Sequence, residues 1–326
     1  MYQFTINSNE AGQRFDKYLH KLLPKAPASF FYKMLRKKNI VLNGKKAEGK
    51  EKLSIGDEIS LFLSEETFLS FQDSLQKESE FIKAYQTLKD IQIVFENQNM
   101  LIVNKPSGIL TQKSKDSDLS LNEWLIGYLL FSNAITRESL RTFKPSVCNR
   151  LDRNTSGLVL CSKTLKGSQR LSMLIRERKV HKFYRLFVKG SVEKEELLKG
   201  YLVKDELTNK VIISETPIEQ GAYIKTRFYP VQKLSDMTYL EVELITGKTH
   251  QIRAHMASVG HPILMDYKYG DHKFNEKYKD RFPAQGQLLH AYRLEFSKEE
   301  SLLEGAGPVF IAEEPSVFQK LLLENK

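Results

Sequence analysis

A chain of 326 residues with 41% hydrophobic content can fill a complete core, and its length suits one catalytic domain plus a small accessory one. Its formal charge of +10 favours a polyanionic partner over an acidic one. No apolar run approaches the roughly 20 residues of a membrane span, and the opening MYQFTINSNE lacks the features of a secretory signal, so a cytoplasmic protein with no membrane partner is expected. In chain order, residues 1–63 read as a separate unit. Phe15, Leu19, Leu22 and Leu23 recur at helical spacing before Pro24. Phe31, Met34 and Leu35 repeat the pattern in a second short helix. Ile40–Leu42 then leads into an Asn43-Gly44 turn, and Leu53–Ile59 gives a further turn and strand. This unit holds 12 Lys and Arg against 6 Asp and Glu, so six of the chain's ten net positive charges fall in it. Lys33, Arg36, Lys37 and Lys38, clustered on the second helix, are its candidate nucleic-acid contacts; a merely solvated basic face is the alternative.

Residues 64–88 turn acidic, with Glu65, Glu66, Asp73, Glu78 and Glu80 outweighing Lys77 and Lys83. They read as a linker, part of which packs on a domain through Phe68, Leu69, Phe71 and Phe81. Residues 89–326 mix strand and helix patterns without the regular alternation of a doubly wound nucleotide fold. Ile91–Phe95 and Met100–Val103 flank a polar turn, Leu171, Leu174 and Ile175 stripe a basic helix, and Leu288–Phe296 reads as a strand. Tyr184, Leu186 and Val188 share one face of another strand. Consecutive strand signals imply hairpins and an antiparallel or mixed sheet. Neither a GxxxxGK[ST] nor a GxGxxG pattern occurs, so nothing points to a nucleotide cofactor.

Two segments carry chemistry. Residues 149–157, NRLDRNTSG, set Asp152 between Arg150 and Arg153 ahead of a turn, and the apolar Leu158–Cys161 behind it places the carboxylate where one strand ends and another begins. A carboxylate fenced by cations should stay ionised, which suits nucleophilic or electrostatic work better than proton donation. The plainer alternative is a turn aspartate bonded to its own backbone. If the strand continues through this segment, Arg150 and Asp152 project from one face. The second segment is Thr246–Met256, TGKTHQIRAHM, followed by Gly260-His261-Pro262 and Asp266-Tyr267-Lys268-Tyr269-Gly270. Ile252, Met256 and Val259 form a helical stripe that Gly260 is placed to end. Arg253 beside that stripe needs a carboxylate partner. His250, His255 and His261 invite a metal, but the first two lie off a common helix face, and none is expected. Cys148 and Cys161 sit in apolar runs and read as reduced, buried thiols.

These two segments, with Asn104–Gly108, Tyr184 in KFYRLFVKG and LLHAYRLEF at 288–296, occur in the order that resembles the RluA family of RNA pseudouridine synthases, from about residue 89 onward. The resemblance implies an α+β catalytic domain with a bent, mostly antiparallel mixed sheet and a cleft across its middle. It implies isomerisation of specific uridines in RNA, ribosomal RNA first and transfer RNA second, without cofactor. It further implies Asp152 as nucleophile, Arg253 as its partner, and Tyr184 as the aromatic packing on uracil or moving a proton. Arg150 would fill the gap left by a flipped nucleotide, and His250 joins the RNA contacts. A core aromatic and an ordinary salt bridge are the alternatives for Tyr184 and Arg150. Lys105, Pro106 and Gly108 are taken as a structural turn. The N-terminal unit resembles the small RNA-binding domain named for ribosomal protein S-four, and the state is taken as a monomer. Asn149 stands where the family usually has His, and Lys248 where it usually has Arg, which bears on how RNA is held. An inactive RNA-binding or ribosome-assembly factor and a metal-dependent hydrolase are the other functions weighed. Whether Asp152 attacks sugar or base, or promotes a glycal route, is left open.

Overall fold

The computed structural model describes residues 1–72, 76–206, 208, 210–282, 284 and 286–324, so Asp73 of the acidic stretch lies outside the described residues. The chain begins with β1 (Tyr2–Thr5), α1 (Phe15–Leu22), α2 (Ala28–Arg36), β2 (Ile40–Leu42), β3 (Lys45–Lys46) and β4 (Glu58–Leu61). The four strands make an antiparallel sheet in the order β1-β4-β2-β3. Asn43 and Gly44 both have positive φ, which matches the right-handed strand twist and closes the β2–β3 hairpin tightly. The apolar stripes predicted for the helices are buried at Phe15, Leu19, Leu22, Phe31 and Leu35, against Ile6, Ile40, Ile59 and Leu61, while Met34 is half-buried. Lys33, Arg36, Lys37 and Lys38 are exposed.

The acidic stretch is helical. In α3 (Glu65–Phe71), the Ser64 hydroxyl accepts from Thr67 N and Glu65 and Glu66 sit at the positive end of the helix dipole. Phe68 is buried in the N-terminal core and stacks on Tyr2, with ring centroids 3.7 Å apart. Next, α4 (Gln76–Thr87) lays Phe81 and Ala84 against α5 (Leu121–Phe131). Gly127 permits that approach, since a Cβ there would lie 2.2 Å from the Phe81 carbonyl oxygen.

The remaining strands are β5 (Gln92–Glu96), β6 (Met100–Lys105), β7 (Ser146–Val147), β8 (Ser156–Ser162), β9 (Val180–Lys189), β10 (Glu196–Asp205), β11 (Lys210–Ser214), β12 (Ala222–Lys233), β13 (Met237–Leu244), β14 (Leu289–Phe296) and β15 (Val309–Ile311). They form one sheet of 11 strands along the path β11-β10-β12-β13-β9-β14-β8-β6-β5, with β15 on β14 and β7 on β8. Its pairs are antiparallel except β14 with β8, which run parallel where His290 meets Ser156 and Ala291 meets Gly157. All seven residues of β8 are buried, which explains a run as apolar as Leu158–Cys161.

Both faces are covered. Tyr184, Leu186 and Val188 pack with Leu240, Val242 and Phe228 beneath Ile252 and Met256 of α7 (Gln251–Ser258). On the other face Phe187, Met237 and Tyr239 lie under α8 (His272–Glu276) and α9 (Ser316–Glu324) through Phe274 and Phe318. The stripe of α6 (Leu165–Arg176) buries Leu171 and Leu174 against Met100, Ile102, Leu158 and Leu160. Val259 departs from its expected place, being 39% exposed. The helix has ended one residue earlier, where Gly260 turns left-handed and His261 N closes back on the Met256 carbonyl. Among the described residues no helix is long and apolar enough to cross a membrane.

Candidate active site

Asp152 lies on the loop between β7 and β8, where one strand ends and another begins, so the condition that a strand continues through it is not met. The ladder of β7 and β8 stops because Asn149 Oδ1 takes the Leu160 N–H at 2.7 Å, and residues 148–155 then run irregularly. Arg150 and Asp152 therefore share no strand face, although both line the same cleft. The loop is pinned from below. The Thr111 hydroxyl donates to the Leu151 carbonyl at 2.7 Å and accepts from Leu151 N at 3.1 Å. The Lys105 side chain is fully buried, and its ammonium donates to the carbonyls of Pro106, Ile109 and Arg153 at 3.0, 2.9 and 3.1 Å. Burial pushes that ammonium down to about 7, against the opposing charge of Asp152. Gly108 N–H also reaches the Arg153 carbonyl, at 2.9 Å.

The cation that meets Asp152 is a distant one. Arg150 and Arg153 are exposed, and it is Arg253 Nη1 that donates to Asp152 Oδ2 at 2.7 Å. The rest of the guanidinium grips Asp266 with two parallel bonds, Nε to Oδ2 at 2.7 Å and Nη2 to Oδ1 at 2.9 Å. Burial works against the charge of Arg253, but the hydrogen bonds and charge of Asp266, then Asp152, raise its pKa above the ordinary value. Burial likewise works to raise Asp266, yet Arg253 and two backbone N–H groups hold it below the usual carboxylate range. The guanidinium carbon also lies 5.2 Å from the Tyr269 ring centroid.

His250 precedes α7 in a left-handed conformation, φ 54°, sparsely populated for a residue with a Cβ. Gln251 sustains it. Its amide oxygen accepts from the Thr246 hydroxyl and Lys248 N, and its NH2 donates to Lys225 O and the Thr226 hydroxyl. The Tyr269 oxygen accepts from Val211 N–H at 2.9 Å and lies 2.9 Å from His250 Nδ1, so the phenol ties the imidazole to β11. The other ring nitrogen, Nε2, faces Asp152 Oδ2, 3.8 Å away. Burial, reinforced by Arg253 and Lys268 against the pull of Asp152, keeps His250 below its usual pKa.

Asp152, Arg150, Tyr184, His250 and Arg253 thus line one cleft of about 550 Å³, with Ile175, Lys182, Lys248 and Leu289 among the other walls. Its volume suits one small ligand or a single nucleoside rather than a double helix. Tyr184 is buried, and burial followed by the nearby Asp152 charge pushes its phenol upward. Burial pulls the Lys182 ammonium down. Lys33, Arg36, Lys37 and Lys38 do not line the cleft. His255 Nδ1 faces the Thr226 hydroxyl at 2.9 Å, and His261 Nδ1 the Lys189 carbonyl at 2.9 Å, so the three histidines are engaged separately. Cys161 is wholly buried, whereas Cys148 is only half-buried at the cleft wall, its thiol pushed by burial to about 11.

Sequence reasoning did not assign roles to Asp266, Tyr269, Gln251 or Lys182, nor a support role to the Lys105 ammonium. For Lys105 a signal was present, since a lone lysine closing an Ile-Val-Asn run is a candidate for burial.

Comparison with known proteins gives the family. Residues 99–258 match the family model described as RNA pseudouridylate synthase. Over 301 residues the chain is 33% identical to a ribosomal large subunit pseudouridine synthase C of Pasteurella multocida, covering 90% of this chain and 85% of that protein. The protein of the same description from Vibrio cholerae is 30% identical over 302 residues, 89% of this chain and 87% of its own. Among solved structures, human RNA pseudouridylate synthase domain containing 4 shares the fold at a TM-score of 0.57 and 19% identity, over 76% of this chain and 96% of that one. The chain belongs to the RNA pseudouridylate synthase family. It is accordingly an isomerase that converts uridine to pseudouridine within RNA.

Proposed function

We propose that this synthase modifies uridine in ribosomal RNA, and that Asp152 is the reacting carboxylate of a cleft that receives one extruded nucleotide. The observation that carries the reading is the 2.7 Å approach of Arg253 to Asp152 in a cleft also walled by Tyr184. The ribosomal part rests on the names of the relatives. In the reaction the N-glycosidic bond breaks, the uracil turns while held, and C5 joins the same sugar carbon. The C5 hydrogen leaves as a proton and N1 regains one, so the step is redox-neutral. Arg253 positions Asp152, Tyr184 packs on the uracil, His250 borders the RNA, and Arg150, exposed at the mouth, takes the space of the extruded base.

Asp152→Asn keeps the shape of the side chain and removes the anionic oxygen. It should fold and bind RNA yet release no tritium from C5-labelled uridine in RNA. Substantial turnover by the folded variant would refute the assignment.

The N-terminal unit, in this reading, captures RNA through Lys33, Arg36, Lys37 and Lys38. Because Phe68 belongs to its core, the boundary falls near residue 72 rather than 63. Deleting residues 1–72 should weaken binding and flatten the dependence of log affinity on log salt, by about 0.7–0.9 for each phosphate that the unit neutralises. Identical slopes for the full and shortened chains would reduce the basic helix to a solvated surface.

A further inference from the structure

The sheet face turned away from α7 carries a patch that the cleft does not use. Strands β10 and β12 pair so that Tyr201 stands opposite Tyr223 and Lys199 opposite Lys225. Their alternate residues Leu198, Gly200, Leu202, Ile224 and Thr226 are buried, and a Cβ at Gly200 would lie 3.7 Å from His255 Nε2 of α7. The tyrosines and lysines therefore project from the opposite, open side. The two rings have centroids 5.3 Å apart, Tyr223 is 45% exposed, and the Lys225 ammonium lies 5.5 Å from the Tyr223 centroid.

Like charges directly across a strand pair destabilise the sheet. Neither Lys199 nor Lys225 has an ion-pair partner among the described residues, and Glu243, further along this face, stands opposite Arg227. A paired-lysine row beside a paired-tyrosine row is complementary to a polyanion that also carries flat rings. The patch is joined to the cleft through Lys225. Its N–H donates to the Thr246 hydroxyl at 2.8 Å, and its carbonyl accepts from Gln251 Nε2 at 2.9 Å. Residues 247–249, which leave the sheet at that level, are exposed and line the cleft.

The geometry points to a second RNA-contact surface, in which Tyr201 and Tyr223 stack unpaired bases and Lys199 and Lys225 hold phosphates of the RNA whose uridine enters the cleft. This rests on RNA as the substrate and is independent of which side chain performs the chemistry.

The test uses the full chain and a fluorescein-labelled oligouridylate, titrated across a salt series. Tyr223→Ala should weaken binding roughly tenfold, the scale of one stacked base, while Tyr223→Phe binds as the parent does. Lys199→Gln with Lys225→Gln should flatten the log–log salt slope by about 1.4, the value for two phosphates of a single strand. Photo-cross-linking a 4-thiouridine version of the oligomer should label the peptide that contains Tyr223. Unchanged affinity and slope in the alanine and glutamine variants, with cross-links confined to cleft peptides, would overturn the inference. These readouts are affinities, so they separate it from a failure of the Asp152 assignment, which is read as turnover.

Discussion

Arg253 directs Nε and Nη2 at Asp266 and only Nη1 at Asp152, and the Asp266 side chain is 0% exposed. Removing the guanidinium therefore strands a buried carboxylate as well as releasing Asp152. Arg253→Met should lose about 3–5 kcal/mol of stability, the usual cost of leaving a buried ionic partner alone, and thermal unfolding will check it. Arg253→Lys retains a charge without the planar fork, so it cannot serve both aspartates. Its single-turnover rate should fall by about tenfold to a hundredfold, corresponding to about 1.4–2.8 kcal/mol of lost transition-state stabilisation, with a smaller loss of stability; a normal rate would detach Arg253 from the chemistry. The segments bearing Asp152 and Arg253 were legible in the sequence as motifs. The Arg253–Asp266 grip was not, because a helix end and a turn separate the two residues and no periodicity encodes their meeting. The flanking Arg150 and Arg153 misled for the converse reason: adjacency along a loop does not determine where side chains point.

Strand alternation was a sound guide in β9, where Tyr184, Leu186 and Val188 do share the buried face. It does not extend to residues 148–152, where the strand would have had to continue, because Asn149 caps the ladder through Leu160, an event decided by a strand eleven residues later. The acidic stretch read as a linker because its charges hide two short apolar anchors, Phe68 on one side and Phe81 with Ala84 on the other. Tight backbone approach is equally silent in an apolar pattern. Gly157 has φ 112°, and a Cβ there would lie 2.2 Å from the Ala291 carbonyl oxygen. Gly157→Ala must both strain its own backbone and separate β8 from β14, so it should cost at least about 2 kcal/mol. Urea denaturation measures this, and a midpoint like that of the parent would show that the parallel junction can yield.

At the scale of the whole molecule, two buried histidines contribute to the response to acid. His255 and His290 are buried, and burial pulls both down to about 4 from an ordinary 6.5. The unfolded chain takes up protons there that the folded chain refuses, so stability falls as pH drops from about 6.5 toward about 4. Each histidine contributes up to about one proton to that slope. His255→Gln should remove its share of the pH dependence of the unfolding free energy, and an unaltered slope would contradict the burial effect. The parallel junction has a further consequence, in time rather than in energy. Strand β8 is buried along its length, but its neighbour β14 lies more than a hundred residues further along the chain, as His290 and Ser156 are separated by 134 positions. At the usual 5–20 residues per second of synthesis, β8 waits on the order of ten seconds with the Ser156–Gly157 end of that edge unpaired, while β7 already covers the Cys161–Ser162 end. The open end of an apolar strand is a template for wrong pairing, and the emerging chain carries it until β14 arrives. Arg253 and then β14 arrive late, and the cleft that acts on RNA can close only once β14 has emerged.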